Sequence, residues 1–114
     1  MAECIFCKIV AGEIDADIVH SGDQVIAFRD LHPQAPTHIL IIPRRHVPTL
    51  HDLTPQDGEL LNEMFTAARQ LAADEGLAER GYRAVFNCKD DGGQEIHHLH
   101  LHLLGGRQMA WPPG

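Results

Sequence analysis

A chain of 114 residues has the size of one domain, 1–114, with a real core and no room for a second domain beside it. At 44% hydrophobic and 22% charged residues, with no apolar run near the ~18 to 20 residues of a membrane-spanning helix, both a disordered chain and membrane insertion are excluded. Nine Lys and Arg against sixteen Asp and Glu give a net charge of −7, and Lys8, Arg44, Arg45, Lys89 and Arg107 are scattered, so a nucleic acid polymer is a poor partner while one small phosphate ester held by local donors remains suitable.

In chain order, Met1-Ala2-Glu3-Cys4 has no basic segment ahead of an apolar stretch, which predicts a cytoplasmic location. Three cysteines, an odd number, then argue against a disulfide framework. Ile5, Phe6, Ile9 and Val10 have helical spacing and stop at Gly12, predicting a short helix or turn over 4–10 packed on a sheet. Ile18–His20 and Val25–Arg29 read as strands about a turn at Ser21-Gly22-Asp23, and His38–Ile42 as a third strand stopped by Pro43. Thr54-Pro55-Gln56-Asp57 is a helix start. The helix that follows carries Leu60, Leu61, Met64, Phe65, Ala68, Leu71 and Ala72 along one face and ends at Gly76. Tyr82–Asn87 alternates as a strand, Asp90–Gly93 turns, and Ile96–Leu104 is the last strand. One long helix among strands predicts an α+β fold: an antiparallel sheet with helix cover.

Nine histidines are the compositional excess, and His98-Leu99-His100-Leu101-His102-Leu103-Leu104 is the most informative segment. Alternation at period two puts three imidazoles on one sheet face and leucines on the other. Same-face neighbours on a strand lie about 6.5 to 7 Å apart, so two adjacent rings can share a metal while His98 and His102, about 13 Å apart, cannot easily do so. The second use is nucleophilic: a neutral imidazole keeps one bare nitrogen that can attack phosphorus. His100, at the centre, is best placed for that attack, with His102 beside the phosphate. A solvent-facing polar run on an edge strand is the plainer alternative. Asp91-Gly92-Gly93-Gln94, immediately upstream, offers a turn whose N–H groups can approach an anion without Cβ obstruction.

These residues resemble the signature of the histidine-triad (HIT) proteins. The likeness extends to Asp30-Leu31-His32-Pro33-Gln34-Ala35-Pro36-Thr37-His38, Ile42-Pro43-Arg44-Arg45-His46, Gly92-Gly93-Gln94 and Gly105-Gly106-Arg107-Gln108-Met109-Ala110-Trp111-Pro112-Pro113-Gly114, which look like the Hint branch. The resemblance implies a homodimeric α+β fold that binds purine nucleoside monophosphates and hydrolyses nucleoside 5′-phosphoramidates through a covalent nucleotidyl-histidine. By the same resemblance His100 is the nucleophile, His102 holds phosphate oxygens, His38 orients or relays protons, and His98 completes the catalytic group. Asp30 accepts from the ribose hydroxyls. Ile5, Phe6, Ile9, Phe28 and Leu31 form the base pocket, although plain core packing explains such residues equally well. Asn87 reaches the phosphate side, and Gly93 and Gln94 supply phosphate-loop contacts.

Two departures stand out. Glu95 and His97 occupy positions where some Hint proteins carry serine and tyrosine, and an anionic Glu95 repels a phosphate unless it points away, is protonated, or recognises the amine, so no role is assigned to it. Ala110 replaces a residue beside Trp111, which the resemblance places near a partner's active site. The Cys4-Ile5-Phe6-Cys7 spacing lets two thiolates share a zinc ion, and some HIT relatives close such a site with the residues that are His46 and His98 here. The plainer reading is two half-buried cysteines acting as small apolar residues, and Cys88 reads as a buried thiol. The chemistry itself needs no metal. Two rival functions share the sequence: another HIT reaction through His100, either dinucleoside polyphosphate cleavage or nucleotidyl transfer, and a non-catalytic nucleotide-sensing or scaffold role.

Overall fold

The structure, a computed structural model, describes residues 4–114. Its centre is β3 (Thr37–Pro43), all seven residues of which are buried. Such a strand, apolar on both faces, needs cover on both sides. Five antiparallel strands stand in the order β1-β2-β3-β5-β4, where β1 is Ile18–Ser21, β2 Val25–Arg29, β4 Arg83–Phe86 and β5 Leu101–Gly105. On one face α2 (Gly58–Asp74) packs Leu60, Met64, Ala68 and Leu71 against Val25, Ala27, Ile39, Ile41, Leu101 and Leu103. On the other, α1 (Ile5–Val10) sets Phe6 against Ile26, Phe28, Leu40 and Ile42. The α+β expectation, an antiparallel sheet with one long helix and a short N-terminal one, is what the chain adopts.

Local chemistry explains the boundaries. The Cys7 N–H donates to Cys4 Sγ at 3.3 Å, making Cys4 the N-cap of α1. Thr54 opens a capping box, its Oγ1 accepting from Gln56 N–H at 3.2 Å while Asp57 Oδ2 accepts from Thr54 N–H at 2.8 Å. The helix therefore starts as a 3₁₀ turn over Pro55–Asp57, becomes α-helical at Gly58, and stops before Gly76 at φ +76°. The Asp90–Gly93 turn takes the form of a one-turn helix, α3 (Lys89–Gly92), closed by left-handed Gly93.

The last strand departs from expectation. Pairing of β3 with β5 runs from Thr37↔Gly105 to Ile41↔Leu101, so the strand starts at Leu101 and 96–100 are irregular. Beyond that register the chain is tied instead to the 43–48 connection, Leu99 N–H donating to Val47 O at 2.6 Å and His98 Nε2–H to Pro43 O at 2.9 Å. Of the three histidines only His102 lies in the strand. The leucines nevertheless turn inward as alternation requires, with Leu99, Leu101 and Leu103 fully buried.

Candidate active site

The register that pairs Leu40 with His102 and His38 with Leu104 puts His38 and His102 on one sheet face, the face covered by α1. There His38 Nε2 lies 2.9 Å from His102 Nδ1 and 3.4 Å from Asp30 Oδ2. Fixed main-chain groups determine where the protons sit. The Gln34 N–H can only donate, and it reaches His38 Nδ1 at 3.0 Å, so a neutral His38 carries its proton on Nε2. That proton points at His102 Nδ1, which leaves the His102 proton on Nε2. His102 Nε2 is buried with no hydrogen-bond partner among the described residues. An orphaned buried donor is costly unless a ligand atom meets it.

His100 has the opposite arrangement. Its Nδ1 is 2.7 Å from the His98 carbonyl, an acceptor only, so Nδ1 holds the proton and Nε2 keeps its lone pair. The His100 and His102 rings are 4.9 Å apart between centroids, and the Phe6 edge closes on His100 at 5.2 Å. A bare nitrogen and an unpaired N–H thus stand side by side. Both rings are neutral near pH 7. Burial lowers the pKa of His100 despite its carbonyl bond and the Asp30 charge, and burial together with the His100 and His38 charges pushes His102 down to about 4. Burial lowers His38 as well, against the opposing pull of Asp30.

His98 belongs to a second cluster. Its Nε2 donates to Pro43 O, which frees Nδ1 to face Cys4 Sγ at 3.3 Å, Cys7 Sγ at 3.6 Å and His46 Nδ1 at 3.2 Å. Cys7 Sγ is also 3.3 Å from His46 Nδ1. Tetrahedral zinc with N and S ligands has ligand-to-ligand edges of about 3.3 to 3.8 Å, so Cys4, Cys7, His46 and His98 can hold a metal ion with little movement. Without metal, burial and the neighbouring Cys4 thiol push the Cys7 thiol up. Asp30, His38 and His102 also converge closely enough for a metal. The proton on His38 Nε2 occupies the lone pair such a site needs, so the trio is a His38–His102 hydrogen bond with the Asp30 carboxylate 3.4 Å from His38 Nε2.

The other expected residues divide. Phe6 and Phe28 are buried, rings 5.4 Å apart and edge-on, and Ile9 is half-buried against them. Ile5 is 44% exposed and Leu31 89% exposed. Asn87 is half-buried at the end of β4, and the Gly93 N–H is spent on Asp90 O at 3.0 Å. The Gln94 side chain points inward, 6% exposed. Sequence reasoning missed the main-chain partners that set each tautomer, Gln34 N–H and the carbonyls of Pro43 and His98, because a backbone group carries no residue-type signal. A cavity of about 520 Å³ is lined by Glu75, Arg80, Tyr82, Arg83, Arg107 and Met109 among others and shares no residue with the histidine cluster. Two of its arginines donate to the protein's own carbonyls, Arg83 to Ala110 O and Arg107 to Gln34 O and Gln108 O.

This fold and this histidine arrangement define a histidine-triad protein. Residues 11–109 match the HIT domain, and the chain belongs to that family. It is 51% identical over 108 residues to the purine nucleoside phosphoramidase of Escherichia coli (strain K12), covering 95% of this chain and 91% of that one. An uncharacterized HIT-like protein of Synechococcus elongatus is 50% identical, with 98% and 97% covered. Among solved structures, a HIT family hydrolase from Legionella pneumophila Philadelphia 1 superposes with a TM-score of 0.96 at 56% identity, covering 98% of this chain and 100% of that one. A histidine triad protein from Clostridium difficile gives 0.92 at 39% identity, with 96% of each chain covered.

Proposed function

We propose that this protein is a purine nucleoside phosphoramidase in which His100 Nε2 attacks the phosphorus of a nucleoside 5′-phosphoramidate. The observation that carries the reading is the pair of opposed tautomers, a bare Nε2 on His100 beside an unpartnered Nε2–H on His102. The name of the Escherichia coli relative supplies the substrate class. In the first displacement the Nε2–P bond forms and the P–N bond breaks, the amine leaving with a proton that solvent delivers to its nitrogen. The charge that His100 acquires lies against the His98 carbonyl, while His102 Nε2–H binds a non-bridging oxygen. In the second, water replaces Nε2 on phosphorus and gives the nucleoside monophosphate, its protons passing to solvent. His38 keeps His102 in its donor tautomer, as an orienting group does for a catalytic base. Asp30, beside His38, accepts from the ribose hydroxyls, Phe6 and Phe28 with Ile5, Ile9 and Leu31 form the base side, and Asn87 with the Gly93-Gln94 turn borders the phosphate.

Zinc fits the Cys4, Cys7, His46 and His98 cluster, where it supplies a crosslink between α1 and the segment leading to His100 and takes no part in the reaction. A homodimer fits the surface: β4 is an edge strand, and beside it Phe65 packs edge-on to Phe86 at 6.1 Å while remaining 41% exposed. No described helix is long and apolar enough to cross a membrane, in keeping with a cytoplasmic enzyme of small phosphate esters. The test is release of AMP from adenosine 5′-phosphoramidate by wild type and His100→Ala, with AMP binding to both as a control. Turnover in the wild type that falls at least about a thousandfold in the variant, with binding retained, supports the reading. Binding without turnover in either protein refutes it in favour of a sensing role.

A further inference from the structure

The turn before the histidine segment is held by a side chain that has no donor left for a ligand. Gln94 Oε1 accepts from the Lys89 N–H at 2.9 Å, while the Gln94 N–H donates to Lys89 O at 3.0 Å, a reciprocal clasp across 89–94. Both hydrogens of Nε2 are spent as well, on Pro48 O at 2.8 Å and Ile96 O at 3.0 Å. These partners fix the amide's orientation, because Lys89 N–H requires the oxygen and the two carbonyls require the nitrogen. Lys89 sits at φ +60°, a conformation that a residue with a Cβ keeps only when its surroundings impose it. Gln94 imposes it from both ends and ties the turn to the connection that carries His46.

We propose that Gln94 is a positioning residue for phosphate recognition: it touches no substrate atom and instead holds the 87–93 turn at the height the phosphate requires. This rests on the nucleotide reading above, which puts Asn87 and that turn beside the phosphate. Position 94 then demands a side chain that accepts once and donates twice at the length of glutamine. Glutamate loses both donors, and asparagine is one methylene too short to span Lys89 and Pro48.

The experiment uses Gln94→Met, which fills the same volume without hydrogen bonds, and Gln94→Asn. Amide hydrogen exchange is measured on the ligand-free proteins, followed by binding of AMP and of adenosine and by steady-state kinetics on adenosine 5′-phosphoramidate. The expected result in both variants is exchange at Lys89 at least about tenfold faster, AMP binding and KM about tenfold weaker, adenosine binding unchanged and kcat within about twofold of wild type. Weaker AMP binding with Lys89 exchange unchanged means that Gln94 contacts the phosphate itself and overturns the proposal. Equal weakening of AMP and adenosine, which signals general loosening, overturns it too, as does faster exchange with AMP binding intact. A wild type that binds no AMP removes the nucleotide reading and the proposal together, whereas a wild type that binds AMP as tightly as the variants do removes the proposal alone.

Discussion

At His102 the two ring nitrogens meet different surroundings, Nδ1 facing His38 and Nε2 buried without a partner among the described residues. Burial of this ring, together with repulsion from His100 and His38 when they are charged, pushes its pKa from an ordinary 6.5 to about 4. Between those two values the unfolded chain binds a proton that the folded chain refuses, so stability falls as pH drops through that window. His38 is shifted in the same direction. Urea unfolding at about pH 7.5 and about pH 5 is expected to show a clear loss at the lower pH, and His102→Gln, neutral in both states, reduces that loss. An undiminished loss in the variant contradicts the assignment. The residue types of this site were legible in the sequence: His38, His100, His102 and Asp30 converge or stand adjacent, and His46 and His98 join the two cysteines. Their proton positions were not, because Gln34 N–H and the His98 and Pro43 carbonyls set them.

Elements were legible where side-chain periodicity is strong. The α2 face and the α1 segment appear as the pattern requires, and the alternating leucines of 99–103 turn into the core. Periodicity did not reveal that β5 begins only at Leu101, since the constraint is tertiary: Leu99 pairs with Val47 rather than with a strand. Nor did it show how the loop before β3 is held. Gly106, at φ +94°, lies so close to that loop that a Cβ there would meet Pro36 Cβ at 2.8 Å, and Arg107 Nε–H donates to Gln34 O at 3.0 Å. The C-terminal turn thereby fixes the residue whose N–H orients His38. Gly106→Ala is expected to cost about 1–3 kcal/mol in denaturant unfolding and to lower kcat more than it weakens AMP binding. Unchanged stability contradicts a required close approach at that glycine.

Across the whole molecule the two covered sheet faces divide the work. The α2 side is a continuous apolar core, while the α1 side carries the polar groups, with the cysteine-histidine cluster at one end of the His100–His102 pair and Asp30 beside His38. The cluster joins α1, the mid-chain connection that carries His46 and the 98–102 segment, and the His98 that enters it also presents the carbonyl holding His100. On the zinc reading, protein purified without added metal carries close to one ion per chain. Chelation or paired Cys4→Ser and Cys7→Ser replacement lowers the thermal midpoint by about 5 °C or more. A metal-free chain of full stability contradicts it. The central claim is that His100 forms a bond to phosphorus, and the most direct measurement is rapid acid-free quenching of a single turnover of adenosine 5′-phosphoramidate, followed by peptide mass mapping. The account predicts an adenylyl group on His100 that appears and decays at the rate of AMP release. An adduct on His38 or His102, or wild-type turnover by His100→Ala, would contradict it.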